Sequence, residues 1–487
     1  MSEKKQGIWS NPLLSSKISS PNVKPPEMLI GYLIGPFGAL LSSGIFTSFL
    51  NQYFTDVLRL DTAFLSGLQL ISTIFIVAAN LIVGQLIERT KTLAGKARPW
   101  VLLSALTLSV ASLLMFIVPF DGTAKLVWVA IAYNLYYSVA YPIYNTANST
   151  LIPVSTRNSS QRASLASFTN IAGLGVMGVG SMIFPILVAN VLGTDQTRWF
   201  LVMLGVAIFT ALTIYLQFSF TRERVTEESM SGDASAEQSA AAPSIGDQLK
   251  AVTAEKWWWI VIIFYLFFQW CGAMKNGSMA YFCQWVVDST GIAGGWGTVQ
   301  TILAVLGAIP MAVAAVFVVP LSNKFGKRTV VFAGMVVGVV GGIIAGIGNG
   351  AIVPTAIGVA LKCLGSSPAA YLILAMLADV IDHIEFTNNI RTDGLTMSIY
   401  SSIMVAATPI MNAVFMAILA GAGYVAPPED AALAAQMVQT ASTQTAISVS
   451  YIWFETVGYA VCALLMLVWT VEKNLPEEQA AIAARKK

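Results

Sequence analysis

Three charged side chains stand where the surrounding sequence is almost wholly apolar: Lys275, Lys362 and Glu455. They lie within the apolar runs Trp257–Val287, Thr355–Ile381 and Ala446–Val471. A charge held away from water in such a run is costly, so it is expected to meet a ligand, a partner charge or a moving proton. Lys275 is too central in its run to reach water along its own stem; Lys362 lies nearer an end, where snorkelling competes with function. One carboxylate can neutralise one lysine but not both, which leaves a positive charge suited to an anion. All three residues are candidate coupling groups, and the two lysines are candidate ligands for substrate.

A second set has no charge. Asn134, Tyr137, Tyr141, Tyr144 and Asn148 follow one another at helical spacing, with Asn145 beside them. That spacing predicts one polar stripe on a helix. Tyrosine rings could stack on a ligand while the amides bond its polar groups; hydrogen bonding between helices would satisfy the same side chains. Asn412 shares a predicted face with Ser401 and Thr408, a weaker pattern of the same kind. Gly334, Gly338, Gly342 and Gly346, at steps of four, predict close helix packing.

Asp379, Asp382, His383 and Glu385 close one apolar run. His383 is the chain's single histidine, so acids pairing with basic loops are a better reading than a metal site. The basic partners would be Arg89, Arg98, Arg157, Arg162 and Arg391, forming pairs able to hold a gate shut. No Walker A motif and no CxxC pair occurs, so neither a cofactor nor a metal is expected.

The elements that must position these residues follow from composition. The chain has 487 residues, of which 56% are hydrophobic and 11% charged. A soluble protein carries about 25% charged residues, so most of this surface must face lipid. The net charge of +2 offers no field for nucleic acid. Twelve runs reach the roughly 20 apolar residues that a bilayer requires, and backbone satisfaction in lipid makes them helices. The predicted fold is an all-α membrane protein. An N-tail spans residues 1–27, six helices lie within 28–220, a linker covers 221–256, six more helices lie within 257–471, and a C-tail follows at 472–487. Of the 27 Lys and Arg residues, 22 fall on the side of both termini, Arg59, Lys125 and Arg198 on the other, and Lys275 and Lys362 within spans. This bias places both termini in the cytoplasm. Prolines recur at matching places in the two halves, Pro142 with Pro368 and Pro185 with Pro409, as do the loops Gly95-Lys96-Ala97-Arg98 and Gly326-Lys327-Arg328. Paired interruptions of this kind point to the substrate site of a secondary transporter.

Three stretches carry a resemblance. Ala378-Asp379-Val380-Ile381-Asp382-His383-Ile384-Glu385, with Arg391-Thr392-Asp393-Gly394-Leu395-Thr396 after it, resembles the signature of glycoside–pentoside–hexuronide:cation symporters. So do Gly84, Arg89, Thr90 and Gly95-Lys96-Ala97-Arg98-Pro99-Trp100, and Tyr53-Phe54-Thr55-Asp56. The resemblance covers nearly the whole chain. It implies a major facilitator fold, alternating access in a bacterial inner membrane and a glycoside-like substrate. With Lys275 and Lys362, that substrate is expected to carry an anion, as a hexuronide does. The departures concern the cation. Where family members with a sodium site carry two carboxylates, this chain has Ile76 and Asn80; a further acid is replaced by Ala140, a lysine by Val405 and a sugar-binding acid by Leu40. One aromatic position of the sugar site is kept as Tyr144. Sodium independence is therefore expected, with protons open as coupling ions. A transporter of a non-sugar organic anion and a transporter-like sensor remain alternatives. The partners are a small solute and lipid, the chain acting as a monomer.

Overall fold

A computed structural model describes residues 14–90, 92–231, 245–348, 350–390, 392–428 and 431–485. Arg391 and the middle of the expected linker lie outside the described residues. Among the described residues the regular structure is all-helical, and twelve main helices form the membrane body. Among the described residues, ten helices are long and apolar enough by themselves to cross a bilayer. In chain order the twelve are α1 (Glu27–Val57), α2 (Thr62–Arg89), α3 (Arg98–Leu114), α4 (Gly122–Ser155), α5 (Ser159–Leu187), α6 (Gln196–Ser219), α7 (Lys256–Trp285), α8 (Gly295–Phe325), α9 (Lys327–Ile347), α10 (Ile352–Asn388), α11 (Asp393–Ala422) and α12 (Ala441–Lys473). Their apolar faces need no amphipathic stripe, because lipid and neighbouring helices are equally apolar.

The chain divides into two compact units. The first holds α1, α3, α4, α6 and the parts of α2 and α5 within Leu70–Phe184; the second holds α7 to α12 with Asp61–Gln69 and Pro185–Asn190. In the first unit, the chain before α1 is strapped down. Lys17 N–H donates to the Ser219 carbonyl at 2.8 Å, and the Arg222 guanidinium donates to the Ser19 carbonyl at 2.7 Å. Arg224 forms a buried pair with Glu27 at 2.7 Å. Glu27 thus opens α1, one residue earlier than its apolar run suggests.

Several helices widen into π turns. One covers Leu135–Ala140 in α4, just before Pro142, and another covers Val449–Trp453 in α12. Pro142 has no N–H, and its ring would press on the carbonyl of Ser138, inside the widened turn. The π segment removes that conflict.

In the second unit, glycines on α9 bring three helices together. A Cβ on Gly334 would lie 2.5 Å from the Gly365 carbonyl oxygen of α10, and one on Gly338 would lie 2.7 Å from the Tyr459 ring of α12. Gly342 and Gly346 face Thr456 and Trp453 in the same way. Close packing at these steps is what the spacing predicts.

Candidate functional site

The three intramembrane charges meet. Lys362 of α10 and Glu455 of α12 form a close ion pair in which both side chains are only 2% exposed. The Lys362 ammonium also donates to the carbonyls of Tyr451 and Ile452 at 3.3 and 3.5 Å, within the π turn of α12. It lies over the Tyr451 ring, 5.6 Å from the centroid. Lys362 is therefore sequestered, held by one carboxylate, two carbonyls and an aromatic face.

Glu455 has two further neighbours. Tyr459 donates its hydroxyl to Oε1 at 2.5 Å, and Lys275 of α7 approaches the same oxygen at 3.9 Å. Unlike Lys362, the Lys275 side chain is 24% exposed. Two ammonium groups share one carboxylate, and Lys275 holds it weakly. The cluster carries one net positive charge, displayed at Lys275. On α11, Asn412 is buried against α7: a Cβ on Gly277 would collide with its Oδ1.

The predicted stripe on α4 does not stay whole, because the π turn rotates its two ends apart. After the turn, Tyr144 is buried and donates to Gln217 Oε1 of α6 at 3.2 Å, while Gln217 donates to Asn148 Oδ1 at 2.6 Å. Tyr144 and Asn148 are thus tied to α6. Before it, Asn134 turns back on its own helix, donating to the Ala130 carbonyl at 3.0 Å and accepting from Ser138 at 3.1 Å. Tyr137 packs on Tyr133 with centroids 4.6 Å apart, and Tyr141 stacks on Tyr136 at 6.0 Å. Tyr137, Tyr141 and Asn145 are only partly buried. Gln217 and Tyr136 are absent from the sequence-derived set. Gln217 stands alone in an apolar run, and Tyr136 falls off the expected stripe.

The positions that the resemblance matches to sodium ligands offer few oxygens. Ile76 and Ala140 are buried, and the Asn80 amide donates to the Ile76 carbonyl at 2.8 Å.

The charged loops are closed by two acids that the sequence reading missed. Glu223, just past α6, accepts backbone N–H bonds from Lys96, Ala97 and Arg98 at 2.8, 2.8 and 2.7 Å. Glu472, at the end of α12, accepts from Lys327 and Arg328 at 2.7 and 3.2 Å. Both loops begin with a glycine at positive φ, Gly95 at 111° and Gly326 at 83°. A side chain would strain either turn. The arginines act alike: Arg98 donates to the Phe218 carbonyl at 2.9 Å, and Arg328 to the Met466 carbonyl at 2.9 Å. Each half is fastened by an acid and an arginine in matching positions. The shared Thr-x-Glu of Thr221-Arg222-Glu223 and Thr470-Val471-Glu472 could have revealed this.

Among the expected gate residues, Asp379 pairs with Lys327 at 2.5 Å. Asp382 accepts from Gln479 at 2.9 Å, and His383 bonds Glu478 at 2.8 Å, fastening the helix Leu475–Arg485 to α10. Glu385 is buried. Arg89, Arg157 and Arg162 are exposed, and Arg162 donates to the Thr156 carbonyl at 3.0 Å.

A family model described as MFS/sugar transport protein matches residues 31–473. The chain belongs to this family. It is 28% identical over 464 residues to the isoprimeverose transporter of Lactiplantibacillus pentosus, covering 94% of this chain and 91% of that one. It is 22% identical over 402 residues to the glucuronide carrier protein homolog of Escherichia coli (strain K12), covering 82% and 84%. In fold it resembles a bacterial homolog of the human lysosomal transporter Spinster, with a TM-score of 0.65 at 12% identity, over 94% of this chain and 99% of that one. This MFS member is a secondary transporter for sugar-like substrates and not an enzyme, and the resemblance to glycoside–pentoside–hexuronide carriers holds.

Proposed function

We propose that the protein carries a sugar derivative bearing an acidic group across a bacterial inner membrane, with both termini in the cytoplasm and the chain working as a monomer. The observation that carries this reading is the unequal sharing of Glu455. Lys362 is sequestered, while Lys275 keeps an incompletely compensated charge and a partly open side chain. Lys275 binds the acidic group. Within the first unit, Tyr137, Tyr141 and Asn145 are the part-open side chains suited to sugar rings and hydroxyls, while Tyr144 and Asn148, and Asn412 in the second unit, hold their helices in place. A sugar transporter relative and a glucuronide carrier homolog support this substrate class.

Transport is independent of sodium. A sodium ion needs several hard oxygen ligands in place of its water, and Ile76, Ala140 and an amide already bonded to its own helix supply too few. The decisive experiment is a thermal-shift comparison of purified protein with methyl glucuronide and methyl glucoside, which differ only at one carbon. The glucuronide should stabilise the protein more, and Lys275→Gln should remove the difference. A charge-assisted hydrogen bond contributes about 1.5–3 kcal/mol, or roughly 10- to 150-fold in affinity. Equal shifts for the two ligands would refute the anionic reading; uptake driven by an imposed sodium gradient alone would refute sodium independence.

A further inference from the structure

We infer that this carrier exchanges one bound anion for another much faster than it moves an anion alone. The inference rests on the anionic reading above and follows from the charge count of the cluster. Its ionised groups are Lys275 on α7, Lys362 on α10 and Glu455 on α12. Tyr459 donates to the carboxylate and Asn412 packs on α7, but neither adds charge.

An alternating-access carrier passes through states in which its site is closed to both sides. In such a state the exposed quarter of Lys275 loses its water. Among the described residues its one charged partner is Glu455 Oε1 at 3.9 Å, an oxygen already engaged by Tyr459. Glu455 cannot turn wholly to Lys275, because Lys362 is 2% exposed and would be left with two carbonyls at 3.3 and 3.5 Å. The empty carrier thus closes around an uncompensated ammonium, which desolvation opposes. A bound carboxylate completes the pairing, so the loaded carrier closes freely. A neutral sugar does not complete it, and the carrier loaded with a neutral sugar is slowed like the empty one.

The test uses the full chain in proteoliposomes. Uptake of labelled methyl glucuronide is measured into vesicles filled with unlabelled methyl glucuronide and into vesicles filled with buffer. Exchange should be at least about tenfold faster than net uptake. Lys275→Gln leaves a neutral Lys362–Glu455 pair, so this variant should move methyl glucoside faster than the wild type does. Its exchange and net rates for that sugar should agree within about twofold. The wild-type comparison stands without the variant, whose folding is checked by its thermal midpoint. If methyl glucuronide binds but wild-type exchange and net uptake are equal, the exchange bias is wrong and the anion reading survives. Net uptake raised to the exchange rate by an imposed pH gradient overturns it too, because the ammonium would then be shedding its proton. If methyl glucuronide does not bind, the anion reading fails and takes this inference with it.

Discussion

Replacing Glu455 by Gln should be the most destabilising change in the cluster. The amide still accepts from Tyr459, so shape and that hydrogen bond survive while the charge is lost. At the 3.9 Å separating Lys275 from Oε1, Coulomb attraction is about 4 kcal/mol at an effective dielectric near 20, before desolvation is subtracted. Lys362 is closer and more buried. Removing one partner of a buried pair generally destabilises by about 3–5 kcal/mol, because the other charge stays behind uncompensated. Lys362→Met should destabilise less, since Lys275 can then take Glu455 to itself. The double variant Glu455→Gln/Lys362→Met returns the cluster to the wild-type net charge, and its loss should fall at least about 2 kcal/mol short of the sum of the singles. The assay is unfolding in mixed micelles with increasing SDS, followed by tryptophan fluorescence. Additivity within about 0.5 kcal/mol would refute the shared-carboxylate reasoning.

Other outcomes follow from the packing and the loops. A Gly338→Ala side chain would press on the Tyr459 ring and weaken its bond to Glu455, destabilising by about 1–3 kcal/mol, whereas Gly44→Ala, which meets nothing within 4 Å, should be neutral or slightly stabilising in the same SDS titration. Glu223→Gln and Glu472→Gln should each destabilise by about 1–3 kcal/mol, the former more because it caps three amides rather than two; no loss at either acid would count against these closures, and equal losses would refute only the ranking. A cysteine at exposed Lys250 should react with an impermeant maleimide only after the membrane is opened, and the four buried native cysteines should stay silent; labelling on intact cells would invert the proposed topology.

The helices could be read from sequence because length and apolarity suffice in a bilayer, and the glycine steps on α9 translate directly into contact with α10 and α12. The three intramembrane charges also stood out, since little else ionises inside these runs. What the sequence hid depended on the third dimension. Uniform helical spacing implied that Asn134 and Asn148 share a face, and the π turn before Pro142 breaks that sharing. Spacing alone could not show which lysine Glu455 prefers, because three helices decide it. The acids that close α10 are visible in the sequence, but how far it runs past its apolar stretch is not: it reaches Asn388, with its polar last turns held by Lys327, Glu478 and Gln479. Glu223 and Glu472 were overlooked because they follow the helices and resemble ordinary surface acids.

Those two acids also bear on how the chain comes into being. Each closes a loop made well before it, and each is among the last residues of its own half to be synthesised. Glu223 reaches back across 125 to 127 residues and Glu472 across 144 to 145. A half therefore stays unfastened until its sixth helix has entered the membrane, and nothing from the other half is needed to fasten it. Translation order then supplies a natural checkpoint: the first bundle can lock before the second begins. A gene cut between residues 231 and 245 and expressed as two pieces should leave each piece able to make its own acid-to-loop closure.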